Sequence, residues 1–222
     1  MTQHTVVDHL VVAAASIEQG TAWCEDTLGF TPTAGGKHPL MSTHNRVFSI
    51  ATAEYPLAYF EIIALDPDAP PPGRARWYGL DDPALQARIA HGPQLIHSVA
   101  RTTMLDMHRF GLIQVGQRPG EPVAVQRETP HGTLSWQLLV PQDGRPDCDG
   151  ALPTLIQWQG PHPAEHLPAS GITLKALTLR GVPARARDVL RLRGVSVLPE
   201  GRPALGATLL TPRGEVVLES AP

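Results

Sequence analysis

The strongest constraint on this chain is a strand–helix–strands order that recurs along it. Val6–Ala13 is a β-branched apolar run that reads as a buried strand. A helix follows: Ser16 is its N-cap, Gln19 completes a capping-box spacing, and Gly29 supplies the stop. Ile17, Gly20, Cys24 and Leu28 fall on one face of that helix. Arg46–Ala51 and Leu57–Leu65 read as strands, and with Phe30–Thr33 as an intervening strand the order becomes βαβββ.

The same order returns after a Pro-rich connector. Asp66–Gly73 closes the first unit, and Asp82 caps a short spacer helix that carries Leu85 and Ile89 and ends at Gly92. Leu95–Ala100 then reads as a strand, Thr103–Phe110 as a helix stopped by Gly111, and Val123–Arg127, Thr133–Val140 and Thr154–Trp158 as strands. Setting His97 over His9 places Ser98–Ala100 over Leu10–Val12, and Gln157 falls over Glu61 at a similar separation. A third, more degenerate copy runs from Ile172. It has a strand to Leu179, a helix beginning at Pro183, and strands at Val195–Leu198, Ala207–Leu210 and Val216–Glu219, separated by turns at Pro199–Gly201 and Pro212–Gly214. The expected fold is therefore α+β: two βαβββ modules at 6–66 and 94–160 forming an open cup-shaped sheet, a connector at 67–93, and a degenerate βαβββ unit at 171–220.

Composition narrows the function. With 18% charged residues and a formal net charge of −3, no basic field exists to hold a nucleic-acid backbone. No apolar stretch is long enough for a membrane span and no signal segment is visible. The two cysteines have no ligand spacing, and together these features predict a cytoplasmic protein. Cys24 reads as a small core residue.

Strand alternation singles out the polar residues that carry chemistry. His9 shares a face with Val11 and Ala13, while Leu10 and Val12 pack under the helix, so His9 looks into the cup. Glu61 lies in the middle of an apolar strand, where an unpaired carboxylate is costly. Either a cation relieves that cost, since imidazole and carboxylate are both good ligands for a divalent ion, or Glu61 pairs with Arg46 or Arg101. The repeat adds His97 and Gln157 to His9 and Glu61 as candidate ligands. Thr43-His44-Asn45, after a Gly-rich loop holding His38, reads as a polar lip whose His44 and Asn45 bind a substrate carbonyl or carboxylate. Trp77 and Tyr78 read either as an aromatic wall, with Trp77 its substrate-binding member, or as anchors of the connector to the core. His162 and His166 lie in a Pro-rich turn and are expected at the surface.

Asp8-His9-Leu10-Val11-Val12, Leu28-Gly29-Phe30 and Tyr59-Phe60-Glu61-Ile62-Ile63 resemble the vicinal oxygen chelate superfamily, which includes glyoxalase I, extradiol dioxygenases and bleomycin-resistance proteins. Gly35–Pro39 with Thr43–Asn45, Arg76-Trp77-Tyr78 and Trp158…His162-Pro163 resemble its glyoxalase-like domain family. That resemblance implies one metal ligand from the first and last strand of each module, here His9, Glu61, His97 and Gln157; the last is an amide where a carboxylate is usual. It implies a divalent ion (zinc, nickel, manganese or iron) or, alternatively, a cup that works without metal. It further implies a small-molecule ligand and a homodimer, although an internal module pair can complete the cup within one chain. The activity expected is that of a lyase or isomerase, with Glu61 catalytic. An extradiol-type dioxygenase and a metal-independent sequestering protein are the alternatives.

Overall fold

The structure, a computed structural model, describes residues 4–198 and 200–220; Pro199, in one of the expected turns, lies outside them. The first module comprises β1 (Val6–Ala13), α1 (Ile17–Leu28), β2 (Gly35–His38), β3 (Thr43–Ser49) and β4 (Tyr59–Leu65). After α2 (Pro83–His91), the second comprises β5 (Gln94–Arg101), α3 (Leu105–Gln114), β6 (Glu121–Thr129), β7 (Gly132–Val140) and β8 (Thr154–Gln159). The third unit is β9 (Thr173–Arg180), α4 (Ala184–Leu190), β10 (Val195–Leu198), β11 (Ala204–Thr211) and β12 (Gly214–Glu219).

Two modules merge into one eight-stranded sheet of order β2-β3-β4-β1-β5-β8-β7-β6. In each module the last strand returns parallel to the first, β4 along β1 and β8 along β5. β1 and β5 then pair antiparallel at the centre and join the modules. The sheet curls until its two edges approach: a Cβ placed on Gly36 of β2 would lie 2.7 Å from Nη1 of Arg127 on β6. The third unit shares the βαβββ order but pairs differently, as a separate sheet of order β10-β9-β11-β12.

Alternation along β1 sorts the two cores. Leu10 and Val12 face the convex side, in one core with Cys24 and Leu28 of α1 and with Leu174, Leu177, Leu205, Ala207 and Leu209 of the third unit. The third unit thus covers the convex face of the large sheet, with Leu174 N–H donating to Ile50 O at 2.9 Å. Val11 and Ala13 face the concave side, in a second core with Met41, Ile63, Leu85 and Ile89.

Three expectations are corrected by this arrangement. The second strand is Gly35–His38, not Phe30–Thr33, because the glycines let β2 lie close against β3: a Cβ on Gly35 would sit 2.0 Å from Asn45 O. Gly111 does not stop its helix. It lies inside α3, where a Cβ would come within 2.9 Å of Val189 on α4, so the glycine serves helix packing. The connector is more than a spacer, since Trp77, Tyr78, Leu80, Leu85 and Ile89 fill much of the concave side. Gln19 ties it down: its side chain accepts from Ala15 N–H at 2.8 Å and donates to Ile89 O at 3.0 Å.

Gly20 sets the height of α1 above the sheet, because an added Cβ would meet Cγ2 of the buried, β-branched Ile62 at 2.4 Å. Gly20→Ala should lower stability by about 1–2 kcal/mol, overpacking outweighing the gain in helix propensity. Urea denaturation of the two proteins checks this.

Candidate functional site

A buried carboxylate organises the concave end of the sheet. The β1–β5 register shifts between Val7 and His9, and this bulge leaves Asp8 as an extra residue beside His9. Asp8 is wholly buried. Its Oδ1 lies 2.7 Å from His9 Nδ1, and its Oδ2 lies 2.9 Å from His162 Nε2 and accepts from Trp158 Nε1 at 3.0 Å. Arg101 approaches at 3.9 Å. Burial by itself would raise the Asp8 pKa, but the hydrogen bonds from His162 and His9 hold it well below the usual carboxylate range. An ionised carboxylate only accepts, so Nδ1 of His9 and Nε2 of His162 carry the protons.

With Nδ1 committed, His9 turns Nε2 toward Glu61 Oε2, 3.6 Å away. Tyr59 stacks on the imidazole at 4.5 Å and fixes its plane. Glu61 Oε1 accepts from Asn45 Nδ2 at 2.6 Å, and neither Arg46 nor Arg101 pairs with it. Asn45 Oδ1 accepts from Gly36 N–H at 2.9 Å and faces Arg127 Nη1 at 3.4 Å. His38 lies beside Asn45, 3.5 Å from its Nδ2, and its Nδ1 is 3.1 Å from Thr43 Oγ1. Burial, then the charge of Arg127, pushes His38 down to about 3, which keeps it neutral. His9, Glu61, Asn45, Trp77, Arg127 and Trp158 are among the side chains around a cavity of about 40 Å³. That space holds roughly three water-sized groups.

Of the four ligands expected from sequence, only His9 and Glu61 reach this cavity. His97 Nδ1 donates to Gly150 O at 2.9 Å, and its Nε2 accepts from Thr154 N–H at 3.1 Å. Both nitrogens are thus occupied, and burial pushes the ring down to about 4. Gln157 faces the opposite side of β8 from the cavity residues Ile156 and Trp158, and its Oε1 caps α3 by accepting from Leu105 N–H at 3.0 Å. Among the described residues no group of three or more His, Cys, Asp or Glu side chains is placed to hold a metal ion. The donor set therefore does not fit the expected ion.

The polar lip is corrected as well. Thr43-His44-Asn45 is part of β3, so His44 and Asn45 face opposite ways, and Asn45 reaches the cavity while His44 does not. Trp77 lines the cavity. His162 is buried, not at the surface, because Asp8 draws it in; His166 is exposed. Asp8, His38, Tyr59 and Arg127 also belong to the site, beyond the residues that the sequence points to. Asp8 beside His9 was the available signal, as an acid inside an apolar strand. Cys24 is inert, its thiol pushed by burial up to about 12.

Paired βαβββ modules around such a cup define a vicinal oxygen chelate fold. The sequence profile of the glyoxalase-like domain family matches residues 7–196, and the chain belongs to that family. None of the curated proteins matches it. Among solved structures, a hypothetical protein from Staphylococcus aureus is 13% identical with a TM-score of 0.58, over 97% of this chain and 85% of that one, a likeness of fold alone. Methylmalonyl-CoA epimerase from Mycobacterium tuberculosis is 16% identical with a TM-score of 0.40, over 72% and 93%.

Two outcomes follow from these contacts. Gln157→Ala should cost about 1 kcal/mol through the lost helix cap, with faster hydrogen exchange at the Leu105 amide. His38 and His97 bind a proton more readily in the unfolded chain, near 6.5, than in the fold, near 3 and 4. Their contribution to stability is complete above about pH 6.5 and is lost progressively as the pH falls toward 4 and below. Urea unfolding at pH 7.5 and pH 5 should show the drop, and His97→Gln should make it shallower.

Proposed function

We propose that this chain is an enzyme of the lyase or isomerase type that moves a proton on a small oxygenated molecule, with Glu61 as base and His9 as its acid partner. One observation carries the reading: His9 Nε2 and Glu61 Oε2 face each other at 3.6 Å on one small cavity, each held by a separate buried partner. Glu61 would take a proton from carbon beside a carbonyl while the Nε2–H of a protonated His9 is given to the carbonyl oxygen, producing an enol, or an enediol where that carbon carries a hydroxyl. Asp8 supports the imidazolium side of that exchange, and Asn45 orients the carboxylate.

No step is routed through a metal, because among the described residues no three His, Cys, Asp or Glu side chains are placed together to hold a divalent ion. The same shortage weighs against an extradiol-type dioxygenase, which requires two histidines and a carboxylate. A sequestering protein is the remaining alternative, favoured by the indole walls of Trp77, Trp136 and Trp158.

The test is exchange of carbon-bound hydrogen in D2O, followed by proton NMR over a panel of small hydroxy- and oxo-compounds. Wild-type protein should exchange one of them, chelator should leave the rate unchanged, and Glu61→Gln should slow it about 10²–10⁴-fold. Binding without exchange would support sequestration instead, and exchange that needs a divalent ion would overturn the metal-free reading.

A further inference from the structure

We infer that Arg127 anchors an anion in this cavity and that the ligand is a short hydroxy- or oxo-carboxylate. The inference rests on the proton-transfer reading for which end of the ligand reacts, but not for which end is held.

Arg127 lies on the same face of β6 as Val123 and Val125, which belong to the concave core, and it lines the cavity. Its guanidinium lies over Gly36, where a Cβ would meet Nη1 at 2.7 Å and Cδ at 3.0 Å. Two other partly buried arginines show the usual pattern: Arg76 bonds Asp81 and Met41 O, and Arg109 bonds Glu121 and Gly120 O. Among the described residues Arg127 has only the 3.4 Å contact to Asn45 Oδ1, an oxygen already taken by Gly36 N–H, and its Nε is buried without a partner among them. An uncompensated guanidinium at a cavity wall is costly, and a carboxylate matches its two-pronged donor geometry. The indole N–H of Trp77, also at this cavity, is a second buried donor there without a partner among the described residues.

Asn45 separates this cation from the base. Its oxygen faces Arg127 while its nitrogen donates to Glu61, so neither charge is cancelled by direct pairing. One end of the cavity is therefore suited to an anion and the other to proton transfer. The space beside these groups is small, which favours a compact ligand whose remaining atoms extend toward the open side of the cavity.

Calorimetric titration with pyruvate and lactate against their uncharged amides tests this. The acids should bind, and the amides should bind at least about tenfold more weakly. Arg127→Gln should lose the acids by a similar factor and Arg127→Lys should recover part of the loss. Gly36→Ala, which displaces the guanidinium without removing it, should weaken the acids if Arg127→Gln fails to fold. Equal affinity for acid and amide, no binding of any acid, or undiminished binding by the folded variants would overturn the inference. Glu61→Gln should keep acid binding while losing exchange. Acid binding without exchange in wild type would sink only the proton-transfer reading, and exchange of neutral compounds untouched by Arg127→Gln would sink only the anchor.

Discussion

The site depends on one buried charge. Asp8 has no exposure to solvent, and an unpaired carboxylate there would cost several kcal/mol, more than any single apolar contact returns. It is satisfied by donors from three places in the chain: His9 on β1, Trp158 on β8 and His162 just beyond it. Those bonds tie the second module's last strand to the first module's opening strand across the intervening β5. They also leave His9 with a single free nitrogen, aimed at Glu61.

The cup is narrow because both of its faces are covered. The third unit seals the convex side, and the connector with α2 fills much of the concave side. What remains is a short polar path from Arg127 through Asn45 and Glu61 to His9 and Asp8. Asn45 suits its place because an amide can face a cation with its oxygen and a carboxylate with its nitrogen.

Much of this was legible in the sequence. The two-residue period of Val6–Ala13 placed His9 in the cup, and the charge of Glu61 within an apolar strand marked it as partnered. His44 and Gln157 miss the cavity for one reason. A strand's period is two, so an alignment displaced by one residue exchanges faces, and Gln157 falls where Ile156 or Trp158 looks inward. His97 is a different case, since its loop partners Gly150 and Thr154 occupy both nitrogens, and no local pattern announces them.

By itself the sequence determined the order of elements, the joining of two βαβββ modules and the placement of His9 and Glu61, because periodicity, caps and turn residues are local properties. Tertiary structure alone decided which polar residues meet. Asp8 reaches His162 across 154 positions and Arg127 reaches Asn45 across 82. Such pairs follow from bulges, strand register and the closure of the sheet, which depend on the whole chain packing at once.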